Sequence, residues 1–424
     1  MKRLLLLALV VLAFAAPAAA QDSVTLVVWD NFTRDAEQAM INQLNDEFTK
    51  AHPNVTIKRE SYSTDDMTKT LPLALGDSSG PDVAMVNQGY TGMGALVKAG
   101  LLLPLNDYAD QYKWWDRYAK VMHNRNSFTP DGKQLGQGDL YGVSNTAEVV
   151  GVYYNRQAFA DLKLSIPKTY DEFEALLKTV KDAGKTPIVF GSLDGWPAIH
   201  LYGAIQDAFS TTDALDKFIY RLPGGTFDDE ANLKAAQKLV KWVDNGYLSK
   251  GFEGMGYDDA TTGAFLNGDG VMWITGSWAA GTISQQLGED KVGFFIIPPA
   301  DPKAPPLAIG GVGLAYGIRK TSANADLAAA YIDLVTGPRA AELLLQNGFL
   351  PAAPVDAKLL KDGTLTADVV KAWQTISEAN SVGHYLDWTM PNIAADIQSL
   401  LAKKVTPEQF VQQVEDEYKK GAES

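Results

Sequence analysis

Side chains able to do chemistry are scattered along this sequence. His52, His123, His200 and His384 stand far apart, and none falls in an H-E-x-x-H or Cys/His spacing. The sequence therefore supports no zinc or haem site, and neither metal nor cofactor is expected. Cysteine is absent. No G-x-S-x-G elbow occurs, because Ala280 rather than glycine fills the fifth place of the run starting at Gly276. Gly310-Gly311-Val312-Gly313 lacks dinucleotide-binding spacing, and no P-loop is present. Asp65-Asp66 and Asp258-Asp259 are adjacent carboxylates that read as solvated helix starts, where the backbone dipole favours negative charge. A glycosidase needs only two carboxylates facing each other across a cleft, which linear spacing does not reveal. A secreted glycan-active enzyme with paired cleft carboxylates therefore stands as the alternative to a binding protein, and an adhesion or scaffold protein as a third reading.

Aromatic residues are plentiful. Nine Trp, 17 Tyr and 16 Phe can fill a core and can equally stack on sugar rings. The charge of −14, made more negative by loss of Lys2 and Arg3 with a leader, repels phosphate backbones. Nucleic acid is excluded as a partner on that ground, and a monomer is expected.

Residues 1–20 read as a cleaved signal peptide: Lys2 and Arg3, an uncharged apolar run from Leu4 to Ala16, then Pro17 and Ala18-Ala19-Ala20 before Gln21. The run is shorter than the roughly 20 apolar residues of a membrane span. With no cysteine to lipidate at the junction, the expected product is secreted into a periplasm-like space, either free there or held by something outside this sequence. The remaining chain exceeds the roughly 250–300 residues at which one core stops growing, so two lobes are expected.

The elements that must position any site follow from hydrophobic period. Val24–Asp30, Val55–Ile57 and Asp82–Val86 read as strands. Helices fit between them, one with Met40, Ile41, Leu44 and Phe48 at helical spacing, another over Asp66–Leu75 with a bend at Pro72. This β-α-β-α-β order predicts a parallel sheet covered on both faces. A second such region starts near Thr146: strands over Glu148–Tyr154, Pro187–Phe190, Val271–Thr275 and Val292–Ile297, with a capping box at Thr169-Tyr170-Asp171-Glu172. The Pro-rich stretch 298–306 suits a crossing between lobes, and Gly310–Ile318 reads as one strand. Asn324 can cap a helix over Ala325–Val335, and Thr406-Pro407-Glu408-Gln409 is a second capping box.

Four segments in order resemble the extracellular solute-binding proteins of carbohydrate ABC importers, the group that includes maltose-binding protein. They are Gly80-Pro81-Asp82-Val83 leading to Asn87-Gln88; Tyr141-Gly142-Val143 with Val152 to Arg156 and Pro167 to Phe173; Gly270-Val271-Met272 through Gly276-Ser277-Trp278; and Gly310-Gly311 with Ala328–Val335 and Gly348-Phe349-Leu350-Pro351. The resemblance implies an α/β, two-lobed periplasmic-binding-protein-like fold of type II, with three inter-lobe crossings and a ligand cleft. By that likeness the crossings fall near Thr146, Ile297 and Leu350. The lobes are then residues 21–146 with 298–350, and 147–297 with 351–424. It also implies capture of a sugar by hinge closure and delivery to the membrane subunits of an ABC importer, without catalysis.

A sugar presents apolar faces and a hydroxyl rim, so it calls for stacking rings edged by polar groups. Trp278 looks like the family's stacking tryptophan, with Ser277 beside it. Asp194 and Trp196 lie in a turn into a helix, where relatives place an aromatic. Asp30 and Asn31 end the first strand, Asn87 and Gln88 end the third, and both pairs match ligand positions of relatives. Glu148 resembles a ligand carboxylate of the family, with a hinge hydrogen bond as its other reading. Gly310 and Gly311 would let the backbone approach the ligand. Asp387 and Trp388 pair a rim carboxylate with a ring. Val86 and Ala280 stand where maltose-binding relatives carry aromatics, so a monosaccharide, another oligosaccharide or a polyol all stay open. Tyr153 and Tyr154 point to opposite faces of a strand, which disfavours an iron site.

Overall fold

The computed structural model describes residues 22–117 and 120–422, so the expected signal peptide lies outside the described residues. Val24–Asp30 forms at the centre of a parallel trio, flanked by Val55–Ser61 and Val83–Val86. Helices Asp35–Ala51 and Thr64–Gly76 make the crossovers, as the β-α-β-α-β pattern predicts. Pro72 sits inside the second helix without ending it. Every residue of Val83–Val86 is buried, the mark of a strand covered on both faces. Ala315–Ile318 and Val143–Ser144 complete this five-stranded sheet in antiparallel sense.

The second sheet runs Val382–Gly383, Ala308–Val312, Ala147–Asn155, Gly270–Gly276, Thr186–Val189. Val292–Phe295 pairs with the far half of Ala147–Asn155. Tyr153 and Tyr154 diverge as alternation requires: Tyr153 donates to the Gly276 carbonyl at 3.0 Å, while Arg156 donates to the Tyr154 hydroxyl at 3.2 Å. Both capping boxes form, with Thr169 Oγ1 accepting the Glu172 amide and Thr406 Oγ1 the Gln409 amide. Asn324 occupies its expected N-cap place, but its side chain makes no cap hydrogen bond.

The chain passes three times between the two sheets. The first is at Asn145–Thr146, between Val143–Ser144 and Ala147–Asn155. The third is at Leu350–Pro351, where Leu350 and Ala352 hydrogen-bond antiparallel to Ala147 and Asn145. The second differs from expectation. Gly310–Ile318 is not one strand: Ala308–Val312 belongs to the second sheet and Ala315–Ile318 to the first, so the chain crosses at Gly313–Leu314 and not near Ile297. The partners decide this, since Gly310–Val312 pair with Ala147–Val149 and Ala315–Ile318 with Val83–Val86, and the residue between must be small. A Cβ on Gly313 would lie 2.2 Å from Thr146 Oγ1 and 2.8 Å from Glu148 Oε1, so only glycine lets two passages run side by side. The Pro-rich 298–306 stretch instead folds against the second lobe, its Ala300 amide donating to the Ala208 carbonyl. Among the described residues, no helix is long and apolar enough to cross a membrane.

Candidate functional site

A cavity of about 500 Å³ lies at the three passages, within the roughly 300–1,000 Å³ usual for small-ligand sites. The first lobe contributes the loops that end its parallel strands, where open α/β sheets place their ligands. Asn31 follows the first strand, and Asn87 and Gln88 follow Val83–Val86. Thr64, Asp65 and Lys69 come from the start of the next helix. Phe32, Met40, Met85, Leu344 and Phe349 add an apolar surface.

The second-lobe wall is largely aromatic. Trp388 lies 5.8 Å from Tyr385, Tyr385 lies 5.4 Å from His200, and His200 lies 5.2 Å from Trp278. Trp196 packs against His200 at 5.0 Å, as their i, i+4 spacing on helix Trp196–Asp207 dictates. Trp278 is half-buried, and its Nε1 donates to the Tyr257 hydroxyl at 2.8 Å, which fixes the indole plane. Trp388 is held from behind by the Arg125 guanidinium, 5.4 Å from its ring.

Burial governs the charges here. Glu148, half-buried and facing the cavity, is pushed up to about 7, with a 2.8 Å hydrogen bond from the Tyr385 hydroxyl partly offsetting this. Asp387 is pushed up to about 6 by burial. Burial pushes His200 down to about 3, so its imidazole is neutral at neutral pH. At the mouth, Arg34 binds Glu37 of its own helix at 3.1 Å and reaches over to Asp258 of the second lobe at 3.0 Å. Other contacts also join the lobes: Thr91 Oγ1 donates to the Asp387 carbonyl at 2.8 Å, and Arg221 stacks 4.0 Å from the Tyr90 ring.

Of the residues selected from sequence, Asn31, Asn87, Gln88, Glu148, Trp196, Ser277, Trp278, Asp387 and Trp388 line this one cavity. Gln88 and Ser277 are also tied to the backbone: Gln88 Nε2 donates to the Gly313 carbonyl at 2.6 Å, and Ser277 Oγ accepts the Val149 amide. Four residues do not line the cavity. Asp30 is fully buried in a two-pronged pair with Arg59, at 2.5 and 2.7 Å, and its Oδ1 also accepts the Phe32 amide. It shapes the turn that presents Asn31. Asp194 accepts the Tyr257 amide at 2.6 Å and so anchors the turn carrying Tyr257 and Asp258. Gly310 and Gly311 do allow a close approach, but by Arg125: Nη1 donates to the Gly310 carbonyl at 2.5 Å and would lie 2.5 Å from a Cβ on Gly311. Sequence reasoning missed Arg34, Lys69, His200 and Tyr385. Signals existed for two of them, since His200 is one helical turn past Trp196 and Tyr385 sits two residues before Asp387.

The sequence profile of the family described as "Bacterial extracellular solute-binding protein" matches residues 32–342. The chain belongs to that family. A multiple sugar-binding protein of Streptococcus mutans is 25% identical over 331 residues, covering 76% of this chain and 73% of that one. An uncharacterized ABC transporter extracellular-binding protein of Pyrococcus horikoshii is 27% identical over 271 residues, covering 62% of this chain and 59% of that one. Among solved structures, a chitin oligosaccharide binding protein matches with a TM-score of 0.80 at 24% identity, covering 95% of this chain and all of the other. That likeness carries the two-lobed fold of the solute-binding proteins.

Proposed function

We propose that this chain is the sugar-capturing receptor of an ABC importer, closing two lobes on its ligand and presenting the closed form to the importer's membrane subunits. One observation carries the reading: both lobes wall a single cavity that combines an aromatic run with polar groups on the opposite side. Sugars need that combination, with ring faces on Trp or Tyr and hydroxyls on Asn, Gln, Asp or Glu. The names of relatives support a saccharide in this place. In this reading Asn31, Asn87, Glu148, Trp196, Trp278, Asp387 and Trp388 contact the ligand. The lobes are residues 22–145 with 314–350 and residues 146–313 with 351–422, hinged at the three passages. Ligand binding needs no catalysis: the cavity holds and releases its solute. The exported chain works as a monomer after loss of residues 1–20.

Titration calorimetry across a carbohydrate panel tests this, alongside Trp278→Ala and Trp388→Ala. Stacking on one ring contributes about 0.5–1.5 kcal/mol beyond the area it buries, so each variant should weaken binding about tenfold or more. Unchanged affinity in both variants removes the aromatic wall from the site. Labelled oligosaccharide recovered intact from a stoichiometric excess of protein separates a receptor from a glycan-cleaving enzyme.

A further inference from the structure

Among the described residues, two carboxylates on the second-lobe wall have no cation in ion-pair contact. Glu148 accepts the Tyr385 hydroxyl, and among the described residues no ion pair reaches Glu148 or Asp387. The two cations lining the cavity belong to the other lobe. Arg34 is engaged by Glu37 and Asp258, and Lys69 stands on an exposed part of its helix, one turn from Asp65. Arg125, behind Trp388, is occupied by the backbone carbonyls of Gly310, Val382 and Gly383.

What surrounds these carboxylates is π surface and lone pairs. Trp388, Tyr385, His200 and Trp278 follow one another at ring distances of 5.8, 5.4 and 5.2 Å. His200 is only 6% exposed, lines the cavity, and its Nδ1 has no hydrogen-bond partner. Burial keeps that ring neutral, so it adds no positive charge. A wall of two carboxylates, a neutral imidazole and aromatic faces attracts a cation by charge and by ring quadrupole together. A bound ammonium would hold both groups ionised against their burial, whereas beside a neutral ligand burial favours the protonated acids.

We propose that the cavity is built for a saccharide carrying a free amino group, with its ammonium on the Glu148–Tyr385–Asp387–Trp388 side of the site. This deepens the saccharide-receptor reading and rests on it. The uncharged face of the amino sugar then meets Trp278 and Trp196, and its hydroxyls meet Asn31 and Asn87 across the cleft.

The test is calorimetry at pH 7 and low salt with matched pairs: glucosamine, galactosamine and mannosamine, and the disaccharide of glucosamine, each beside its N-acetylated and plain hydroxyl counterparts. The tightest ligand should carry a free amine and exceed its N-acetylated partner about tenfold or more. Asp387→Asn and Glu148→Gln, which keep side-chain shape, should each shrink that preference. The inference is overturned if the tightest ligand is neutral, an outcome that leaves the receptor reading intact. If no saccharide binds at all, the receptor reading itself is rejected, and this inference with it.

Discussion

Replacing Arg125 with methionine tests how the second-lobe wall is held. The guanidinium is buried at 1% exposure, with no carboxylate in ion-pair contact among the described residues. Nη1 donates to Gly310 at 2.5 Å and Gly383 at 3.1 Å, and Nη2 donates to Val382 and Gly383, both at 3.1 Å. Methionine fills similar volume but leaves three buried carbonyls without these donors, at about 1–3 kcal/mol each. Removing a desolvated cation returns part of that cost, since burial already disfavours the charged form. The balance is a loss of about 2–4 kcal/mol in stability. Trp388 also loses the cation behind its ring, which should weaken ligand binding by about 1 kcal/mol, or fivefold. Urea unfolding followed by circular dichroism reads the first effect and calorimetry the second. Arg125→Lys should fall between, because an ammonium cannot present the same planar fork. A methionine variant within about 0.5 kcal/mol of wild type, with unchanged affinity, refutes the reasoning.

Three other positions yield expectations of different kinds. Gly89 has φ +77°, and a Cβ there would lie 2.3 Å from the Trp388 Cα across the lobes, so Gly89→Ala should hold the cleft open. Expected is an affinity loss of about 2–3 kcal/mol, with X-ray scattering showing no ligand-induced contraction. Asp207 is buried without an ionic partner among the described residues, and burial pushes it up to about 8 from 3.8. The folded state then keeps a proton that the unfolded state has released, so stability falls as pH rises towards 8, by about 1.4 kcal/mol per unit. His200 and His384, lowered to about 3 and about 4, act in the opposite sense but only below 6.5, the ordinary histidine value. Melting curves at pH 6.5 and 8 should therefore converge in Asp207→Asn relative to wild type, and an equally steep fall in the variant contradicts the assignment. The Arg34–Asp258 bridge at the mouth is half exposed on one side and largely exposed on the other. A double-mutant cycle on ligand affinity should give a coupling under about 1 kcal/mol that salt removes. A larger, salt-resistant coupling would make it a true latch.

Local patterns were legible in the residues themselves. The alternation of strands and helices, both capping boxes and the divergence of Tyr153 from Tyr154 depend on neighbours a few positions away. The tryptophans of the Asp194–Pro197, Gly276–Trp278 and Asp387–Trp388 segments all reached one cavity: Trp196 and Trp278 sit at the start of a helix or helical turn, and Trp388 ends a short turn beside the passages. Long-range partners decided the rest. Asp30 and Asn31 are adjacent and both polar, yet Arg59 on the neighbouring strand draws one into the core and leaves the other at the cavity. Gly310–Ile318 has the composition of one strand, yet its two ends pair with strands of different sheets, and the absence of a side chain at Gly313 lets the chain pass Thr146 and Glu148 between them. The pull of Arg125 on Gly310 and Gly383, 185 and 258 residues away, has no signature in sequence spacing. Hydrogen-bonding type and helical period are properties of a residue and its near neighbours. Burial and charge are set by whatever the folded chain brings alongside.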